Sequence, residues 1–245
     1  MIRILLSGAC GRMGRAIAAL SAEYGFTVAA GVDVNTAEKT DFPLYSSYAL
    51  CREEADCLID FSRPAHLAQT LRYAREHRLP ALIGTTGLED AHERMIHDAA
   101  QDIPVLQSVN FSPGIHVLKR LTAQTASWLK DYDVEIIERH HAGKADAPGG
   151  TALMLCDAAS QPQTQPVYGR HAALQKRMPQ EIALHAVRGG TLCGTHEAGF
   201  YGQDEHLLLI HTAESRDVFA RGALKAAQWL LKQPSGRYTM DDLFI

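Results

Sequence analysis

The sequence predicts an α/β protein with a doubly wound, Rossmann-like parallel sheet and a second α+β domain that contains a mixed or antiparallel sheet. In the first part of the chain, short apolar runs alternate with helical segments, which is typical of a parallel sheet covered by helices. Glycine-containing turns follow several of these runs. After Gly114 the apolar runs follow one another without helices between them, which favours antiparallel or mixed pairing.

The first predicted domain alternates strand and helix from its start. Short aliphatic or β-branched runs bounded by glycine or polar residues predict strands over residues 2–7, 26–32, 57–61, 81–83 and 105–107. The predicted helices cover residues 12–22, 65–76 and 88–100, and the polar, proline-containing residues 35–45 are predicted as a loop. Right-handed crossovers bring the strand-to-helix loops to one edge of the sheet, where such folds bind ligands.

The second half begins with a predicted helix over residues 115–130 and an alternating strand over residues 132–141. Residues 161–179 are rich in glutamine and proline and are predicted as a loop. Further strands are predicted over residues 181–188, 191–201 and 206–212, followed by a closing helix over 215–232 and a tail over 240–245. We therefore predict two domains: residues 1–110 with a C-terminal return of about 216–245, and residues 111–215.

Composition and charge exclude several classes of protein. The 245 residues are 46% hydrophobic and 21% charged, with a formal net charge of −4, which gives no reason to expect nucleic acid or an anionic membrane as a partner. No apolar run approaches the roughly 20 residues that span a bilayer, and the N-terminal run is too short for a signal-peptide core. Five cysteines without CxxC spacing predict reduced thiols in a cytoplasmic protein.

A glycine loop follows the first predicted strand. Gly8, Gly11 and Gly14 are spaced for a tight turn into a helix whose N-terminus can receive a pyrophosphate, and Arg12 adds a cation there. The spacing departs from the commonest G-x-G-x-x-G pattern, and such turns also occur simply to pack a helix on a strand. The strand before the loop and the helix after it favour dinucleotide binding.

Asp33 ends the second predicted strand, about twenty residues after the glycine loop, where a carboxylate can bind the ribose hydroxyls of a dinucleotide. A carboxylate at this position repels a 2′-phosphate, and Val34 and Asn35 supply no arginine to bind one. We therefore expect NADH to bind at least as well as NADPH.

The most informative segment, residues 138–151, contains His140, His141 and Lys144 ahead of a glycine-rich helix start. Imidazole and ammonium groups deliver protons near neutral pH, and free N–H groups at a helix start attract an anion. Either a glycine or Thr151 is expected to cap that helix. Together with the glycine loop, the segment predicts a nicotinamide-dependent reductase that acts on a small anionic substrate.

Strand alternation places Glu138 and His140 on one face and His141 on the other, in agreement with separate roles for the two histidines. A metal site is the main alternative use of the histidines, since four more lie on predicted strands: His185, His196, His206 and His211. None shows the spacing of a known zinc motif, so no metal site is predicted. His196 and His211 are candidates for substrate contacts.

Four motifs in this order carry a resemblance to a known family. They are the glycine loop, Gly84-Thr85-Thr86-Gly87, Asn110-Phe111-Ser112-Pro113-Gly114 and the string H-H-x-x-K-x-D-A-P-x-G-T at residues 140–151. The chain resembles the bacterial 4-hydroxy-tetrahydrodipicolinate reductases, also called dihydrodipicolinate reductases, nearly end to end. Many members carry Arg-His where Ala142-Gly143 stand here, and serine where Gly149 stands.

The resemblance implies a role for each matching residue. His140 is the expected proton donor or acceptor and Lys144 a second proton donor, while His141, Gly150 and Thr151 are expected to bind substrate carboxylate. The expected dinucleotide-binding residues lie in the loops at strand ends: Gly8, Ala9, Cys10, Gly11, Arg12, Met13, Asp33, Gly84, Thr85, Thr86, Ser108, Val109, Asn110 and Phe111.

The activity that the resemblance implies is hydride transfer from NADH or NADPH to 4-hydroxy-tetrahydrodipicolinate, a cyclic unsaturated dicarboxylate, in lysine and diaminopimelate biosynthesis. The first domain would bind the dinucleotide, and the second would bind substrate and build a homotetramer through its sheet. Two alternatives stay open. One is another nicotinamide-dependent amino-acid or diaminopimelate dehydrogenase, and the other is a non-catalytic module that senses the dinucleotide.

Overall fold

The computed structural model describes residues 1–171 and 176–244. In chain order, the strands within these residues are β1 (Ile2–Ser7), β2 (Phe26–Val32), β3 (Leu44–Tyr45), β4 (Cys57–Asp60), β5 (Ala81–Ile83), β6 (Pro104–Gln107), β7 (Asp133–His140), β8 (Gln165–Tyr168), β9 (Glu181–Arg188), β10 (Thr195–Tyr201), β11 (His206–Thr212) and β12 (Gly236–Tyr238). The α-helices are α1 (Arg12–Leu20), α2 (Leu67–Glu76), α3 (Asp90–Ala99), α4 (Pro113–Trp128), α5 (Gly150–Ala159) and α6 (Asp217–Leu230). Residues 172–175 of the predicted loop and Ile245 of the predicted tail lie outside the described residues.

The chain divides into two units. The first contains residues 1–112 together with the chain from Asp217 onward, and the second lies within Pro113–Arg216. That the first unit binds a dinucleotide and the second a substrate stays a prediction at this point.

The first unit is built on a seven-stranded parallel sheet in the order β12-β6-β5-β4-β1-β2-β3. Successive side chains of a strand point to opposite faces. Ile4 and Leu6 of β1 therefore pack in one apolar layer with α1 and α6, whereas Leu5 packs in the opposite layer with α2 and α3. Apolar layers on both faces are what a doubly wound sheet requires.

The second unit is built on a five-stranded sheet in the order β11-β10-β7-β9-β8. β10 runs antiparallel to β7 and β11, whereas β7, β9 and β8 run parallel to one another. On one face, Ile136 and Phe200 share an apolar cluster with Ile115 of α4 and Leu155 of α5. A parallel sheet in one unit and a mixed sheet in the other confirm the predicted fold class.

Three short strands differ from the sequence prediction. β3 lies in residues 35–45 and β8 in residues 161–179, both predicted as loops, and β12 precedes the predicted tail. Each lies at an edge of its sheet, and β8 contains Pro166, which an edge strand tolerates because one side of its backbone needs no partner. Short edge strands show little hydrophobic alternation, so the two loop predictions are wrong for these segments.

Candidate active site

The glycine loop between β1 and α1 is held by close backbone packing. Gly8 has a φ of +71°, and a Cβ there would lie 2.4 Å from the carbonyl oxygen of Phe61. A Cβ at Gly14 would lie 2.3 Å from the carbonyl oxygen of Gly8. The turn itself therefore requires both glycines. Gly11 caps α1 in an extended conformation, and the first-turn amides that follow have no acceptor within the helix, which suits an anion.

Asp33 follows β2 and is tied to the glycine loop. Its carboxylate accepts the Cys10 N–H at 2.9 Å and the Asn35 N–H at 2.9 Å. These bonds hold the carboxylate at the loop and leave further acceptor positions on its two oxygens. The geometry is compatible with the ribose contact expected of Asp33.

Two cavities lie at the carboxyl edge of this sheet. The glycine-loop cavity has a volume of about 360 Å³, and its lining includes the predicted residues Gly8, Cys10, Gly11 and Asp33. The Phe61 cavity has a volume of about 430 Å³, and its lining includes the predicted residues Arg12, Met13, Gly84, Thr86, Val109, Asn110 and Phe111. Both cavities are also lined by Phe61 and Ser62. The sheet edge thus brings most of the predicted dinucleotide residues together.

Three predicted residues line neither cavity. Ala9 is part of the apolar core. The Thr85 hydroxyl donates to Asp60 at 2.6 Å, and the Ser108 hydroxyl donates to the carbonyl oxygen of Asn110 at 2.6 Å. Thr85 and Ser108 therefore brace the loops that carry their neighbours.

Phe61 and Ser62 line the cavities but are not among the site residues expected from the sequence. They follow β4, so the rule that drew attention to the other strand-end loops could have found them. The Ser62 hydroxyl and Oδ1 of Asp60 are buried and have no hydrogen-bond partner among the described residues. Buried polar atoms normally find a partner. Ser62, which lines both cavities, therefore fits a polar ligand such as a dinucleotide.

In the second unit, the end of β7 places His140 against a buried carboxylate. Nδ1 of His140 is hydrogen-bonded to Oε2 of Glu138. Glu138 is fully buried, and it also accepts bonds from Arg188 at 2.9 and 2.6 Å and from the Gly149 N–H at 3.1 Å. Burial raises the pKa of Glu138, but the bonds from Arg188, His140 and Gly149 outweigh burial and hold this pKa below its usual value. Glu138 is therefore an ionised acceptor, and Nδ1 of His140 is the donor.

Lys144 lies in the loop between β7 and α5. Its Nζ donates to both carboxylate oxygens of Asp146, at 2.7 and 2.8 Å, and these bonds lower the pKa of Asp146. A Cβ at Gly149 would lie 3.0 Å from Cε of Lys144, so this glycine leaves room for the lysine side chain. His141 directly follows β7, and its carbonyl oxygen accepts the Lys144 N–H at 3.1 Å.

α5 begins with an open turn. Gly149 caps the helix in an extended conformation, and no side chain bonds at the cap, so a glycine rather than Thr151 fills the capping position. A Cβ at Gly150 would meet no atom within 4 Å. The Ala152 N–H donates to the carbonyl oxygen of Gly149 at 3.0 Å, and the helix start carries the positive end of the helix dipole. Such a start suits a carboxylate.

His196, on β10, lies beside His140. The two ring centroids are 5.1 Å apart and the planes meet at 72°. His196 is buried, and neither ring nitrogen has a hydrogen-bond partner among the described residues. Burial, and then the nearby His140, lower the pKa of His196 to about 4, so the ring is uncharged at neutral pH. His211 lies opposite His196 in the β10–β11 register, and burial lowers its pKa as well.

Two features are absent from the described residues. None of their helices combines the length and apolar character that crossing a lipid bilayer requires. Within residues 1–171 and 176–244, no group of three or more histidine, cysteine or acidic side chains is placed to hold a metal ion.

The parallel sheet with its glycine loop and the mixed sheet with its histidine–lysine cluster define a class, the two-unit nicotinamide-dependent oxidoreductases. The fold is similar to that of a probable dehydrogenase from Thermotoga maritima, with a TM-score of 0.64 and 11% identity over 98% of this chain and 92% of that one. It is also similar to a dipicolinate-bound dihydrodipicolinate reductase from Paenisporosarcina sp. TG-14, with a TM-score of 0.80 and 20% identity over 99% of each chain.

Within this class, the chain belongs to the dihydrodipicolinate reductase family. The family models for the N-terminus and C-terminus of dihydrodipicolinate reductase match residues 2–111 and 114–244. A 4-hydroxy-tetrahydrodipicolinate reductase from Caldanaerobacter subterraneus subsp. tengcongensis is 44% identical, over 99% of this chain and 98% of its own length. One from Clostridium tetani is 40% identical, over 98% and 96%. The family resemblance and the enzyme class expected from the sequence are confirmed.

Proposed function

We propose that this protein reduces 4-hydroxy-tetrahydrodipicolinate to tetrahydrodipicolinate in lysine and diaminopimelate biosynthesis, with NADH or NADPH as the hydride donor and with the 4-hydroxyl group leaving as water. The observation that carries the proposal is the second-unit cluster, in which His140 and Lys144 are both held by carboxylates near the open start of α5. Proton-bearing groups beside an anion-binding helix start are what a dicarboxylate reductase needs.

The dinucleotide is assigned to the carboxyl edge of the first unit's sheet. The glycine loop and the first turn of α1 would hold its phosphates, Asp33 its ribose, and the Gly84 and Asn110 loops the remainder. When bound, the reduced nicotinamide supplies a hydride. Phe61 and Ser62 are added to the assigned residues because they line both cavities.

The substrate is assigned to the second unit. The start of α5 at Gly150 and Thr151 would bind a carboxylate, with His141 beside it and the Lys144 ammonium adding a full positive charge. Because Glu138 holds Nδ1 of His140, Nε2 is the ring nitrogen placed to exchange a proton. Reduction builds negative charge on the conjugated ring, and His140 with Lys144 would neutralise it by proton donation.

A homo-oligomer, expected as a tetramer, is part of the proposal. On β11, Leu208 and Ile210 are exposed apolar side chains, 38% and 55% accessible, and exposed apolar side chains on a sheet favour association with another copy. Light scattering on the purified protein measures the number of chains directly. The five cysteines are free, which suits the reducing cytoplasm to which we assign the protein.

The activity test follows absorbance at the reduced-nicotinamide band after freshly prepared substrate is added, with NADH and NADPH in parallel. We expect substrate-dependent loss of absorbance, no loss without substrate, and strong impairment in His140→Ala. A folded preparation that oxidises neither coenzyme in the presence of substrate would contradict the proposed function.

A further inference from the structure

One arginine bonds both to Glu138 and to the loop that carries Lys144. Arg188 lies on β9, paired with His140 in the parallel register. Besides its two bonds to Glu138, its guanidinium donates to the carbonyl oxygen of Lys144 at 3.3 Å and to that of Asp146 at 2.5 Å. Arg188 therefore ties the carboxylate that holds His140 to the loop that carries Lys144.

We propose that the ion pair between the buried Glu138 and Arg188 is a positioning unit that fixes His140, Lys144 and the start of α5 relative to one another. The inference rests on the proposed function, which gives the two proton donors a reaction to serve. Glu138 and Arg188 are positioning residues, because each acts through the groups that it holds.

Stability alone does not explain this ion pair. Removing a carboxylate from water costs several kcal/mol, and well-packed apolar side chains of similar volume often stabilise a core as well or better. Ile136, two residues earlier on the same face of β7, shows that the strand accepts apolar side chains in this layer. A carboxylate that accepts four hydrogen bonds instead fixes four donor atoms, which an apolar side chain cannot do.

The two oxygens of Glu138 have different partners. Oε1 accepts from Arg188 and Gly149, whereas Oε2 accepts from Arg188 and His140. Glu138→Gln keeps the shape but turns one oxygen into an NH₂ group, which cannot accept. The Arg188 guanidinium and the Gly149 N–H can only donate, whereas the imidazole of His140 can move its proton from Nδ1 to Nε2. The NH₂ group is therefore expected to face His140 and to turn its Nδ1 into an acceptor.

Every element packed against the ring of His140 contributes a charged or titratable group. These groups are Glu138 on β7, Arg188 on β9, His196 on β10, His211 opposite His196 on β11, and Lys144 with Asp146 in the loop before α5. Glu138 is the anion bonded directly to the ring. Replacing this carboxylate with a neutral amide therefore changes the hydrogen bond that sets the tautomer of the ring.

The test compares the wild type with Glu138→Gln and Arg188→Lys. For both variants we expect kcat to fall at least about 10²-fold, the size of effect that a displaced proton donor has, with KM for NADH within about twofold of the wild type. In ¹⁵N-histidine spectra of the ligand-free Glu138→Gln protein, neutral His140 should change from the Nδ1–H to the Nε2–H tautomer.

Glu135→Gln is the matched control, because Glu135 lies on the same strand and also binds arginines and a histidine, Arg177, Arg170 and His185. Provided that it elutes as the wild type does, this variant should keep the wild-type kcat and the His140 tautomer. A folded Glu138→Gln protein with wild-type kcat and wild-type His140 tautomer would overturn the positioning role. If that variant does not fold, a wild-type kcat for Arg188→Lys overturns it. An inactive wild type would refute the proposed function instead, while the tautomer spectra still decide the positioning.

Discussion

The two units build their sites by different physical means. In the first unit, backbone packing sets the geometry: a Cβ at Gly14 would lie 2.3 Å from a carbonyl oxygen. In the second unit, the fully buried Glu138 organises donors from two strands and a helix start. Steric fit at the glycines therefore sets the geometry of the first site, whereas the charge of a buried carboxylate sets the geometry of the second. Substitutions that change one property at a time can test this contrast.

The largest expected effect belongs to the charged site. His140→Ala and Lys144→Ala should each lower kcat by about 10²–10⁴-fold, the usual loss when a positioned proton donor is removed. NADH affinity should stay within about twofold, because neither residue lines the cavities of the first unit. Steady-state kinetics give kcat, and a fluorescence titration with NADH gives the dissociation constant.

The matched control for this prediction is His185→Ala. His185 lies on β9 and is also hydrogen-bonded to a glutamate, Glu135, at 2.8 Å, but it belongs to a separate cluster. Its kcat should stay close to that of the wild type. Near-wild-type turnover in His140→Ala or Lys144→Ala would remove the assignment of that residue.

The second effect is a loss of stability in acid. The pKa of His196 falls from 6.5 to about 4 on folding, chiefly because the ring is buried. The folded ring stays neutral where the unfolded ring takes a proton, so its contribution to stability is present above pH 6.5 and lost as the pH falls toward 4. This difference between the folded and unfolded pKa corresponds to about 3 kcal/mol in the free energy of unfolding.

Hydrogen exchange of the second-unit strands at pH 7 and pH 4 measures this loss. The pKa values of Glu138 and Asp146 are also lowered, so protonation of these two carboxylates destabilises the wild type and the variant alike in acid. The difference between the wild type and His196→Gln therefore isolates the imidazole. Parallel losses in the two proteins would show that His196 does not stay neutral on folding.

The fold was predictable where a strand coincides with an apolar run. β1, β2, β9 and β11 begin and end at the predicted residues, because apolar runs bounded by glycine or polar residues mark them. β3, β8 and β12 were not predictable, because their pairing with a neighbouring strand comes from tertiary contacts rather than from a local pattern.

The site was predictable where its residues are close in sequence. His140 and Lys144 stand out because a glycine-rich helix start follows them within a few positions. Arg188 could not be found in this way, since it is 50 residues from Glu138 and meets it only through the parallel pairing of β7 and β9. Glu138 could have been predicted as a partner of His140, because strand alternation places the two side chains on the same face.

The third effect tests the packing of the first unit. Gly14→Ala should destabilise the protein by about 1–3 kcal/mol, because its Cβ would meet backbone atoms that cannot move aside. Gly189→Ala is the control, since a Cβ there would meet no atom within 4 Å, and it should change stability by about 0.5 kcal/mol or less. Urea midpoints at constant m-value compare the two. Equal midpoints would show that sterics do not govern the loop.

The smallest effect concerns Asp33, a charge in the site that packing otherwise shapes. Wild-type protein should use NADH at least as well as NADPH, because the carboxylate repels a 2′-phosphate. Asp33→Asn keeps one side-chain oxygen, which can accept the Cys10 N–H while the bond from the Asn35 N–H is given up, so the tie to the glycine loop should persist while the repulsion is removed. The ratio of kcat/KM for NADPH to that for NADH should then rise about tenfold, or about 1.4 kcal/mol.

A wild type that prefers NADPH more than tenfold would show that the coenzyme is chosen elsewhere. If the ratio is unchanged in Asp33→Asn, the carboxylate acts only through its bond to the glycine loop, and packing alone would then account for the first site.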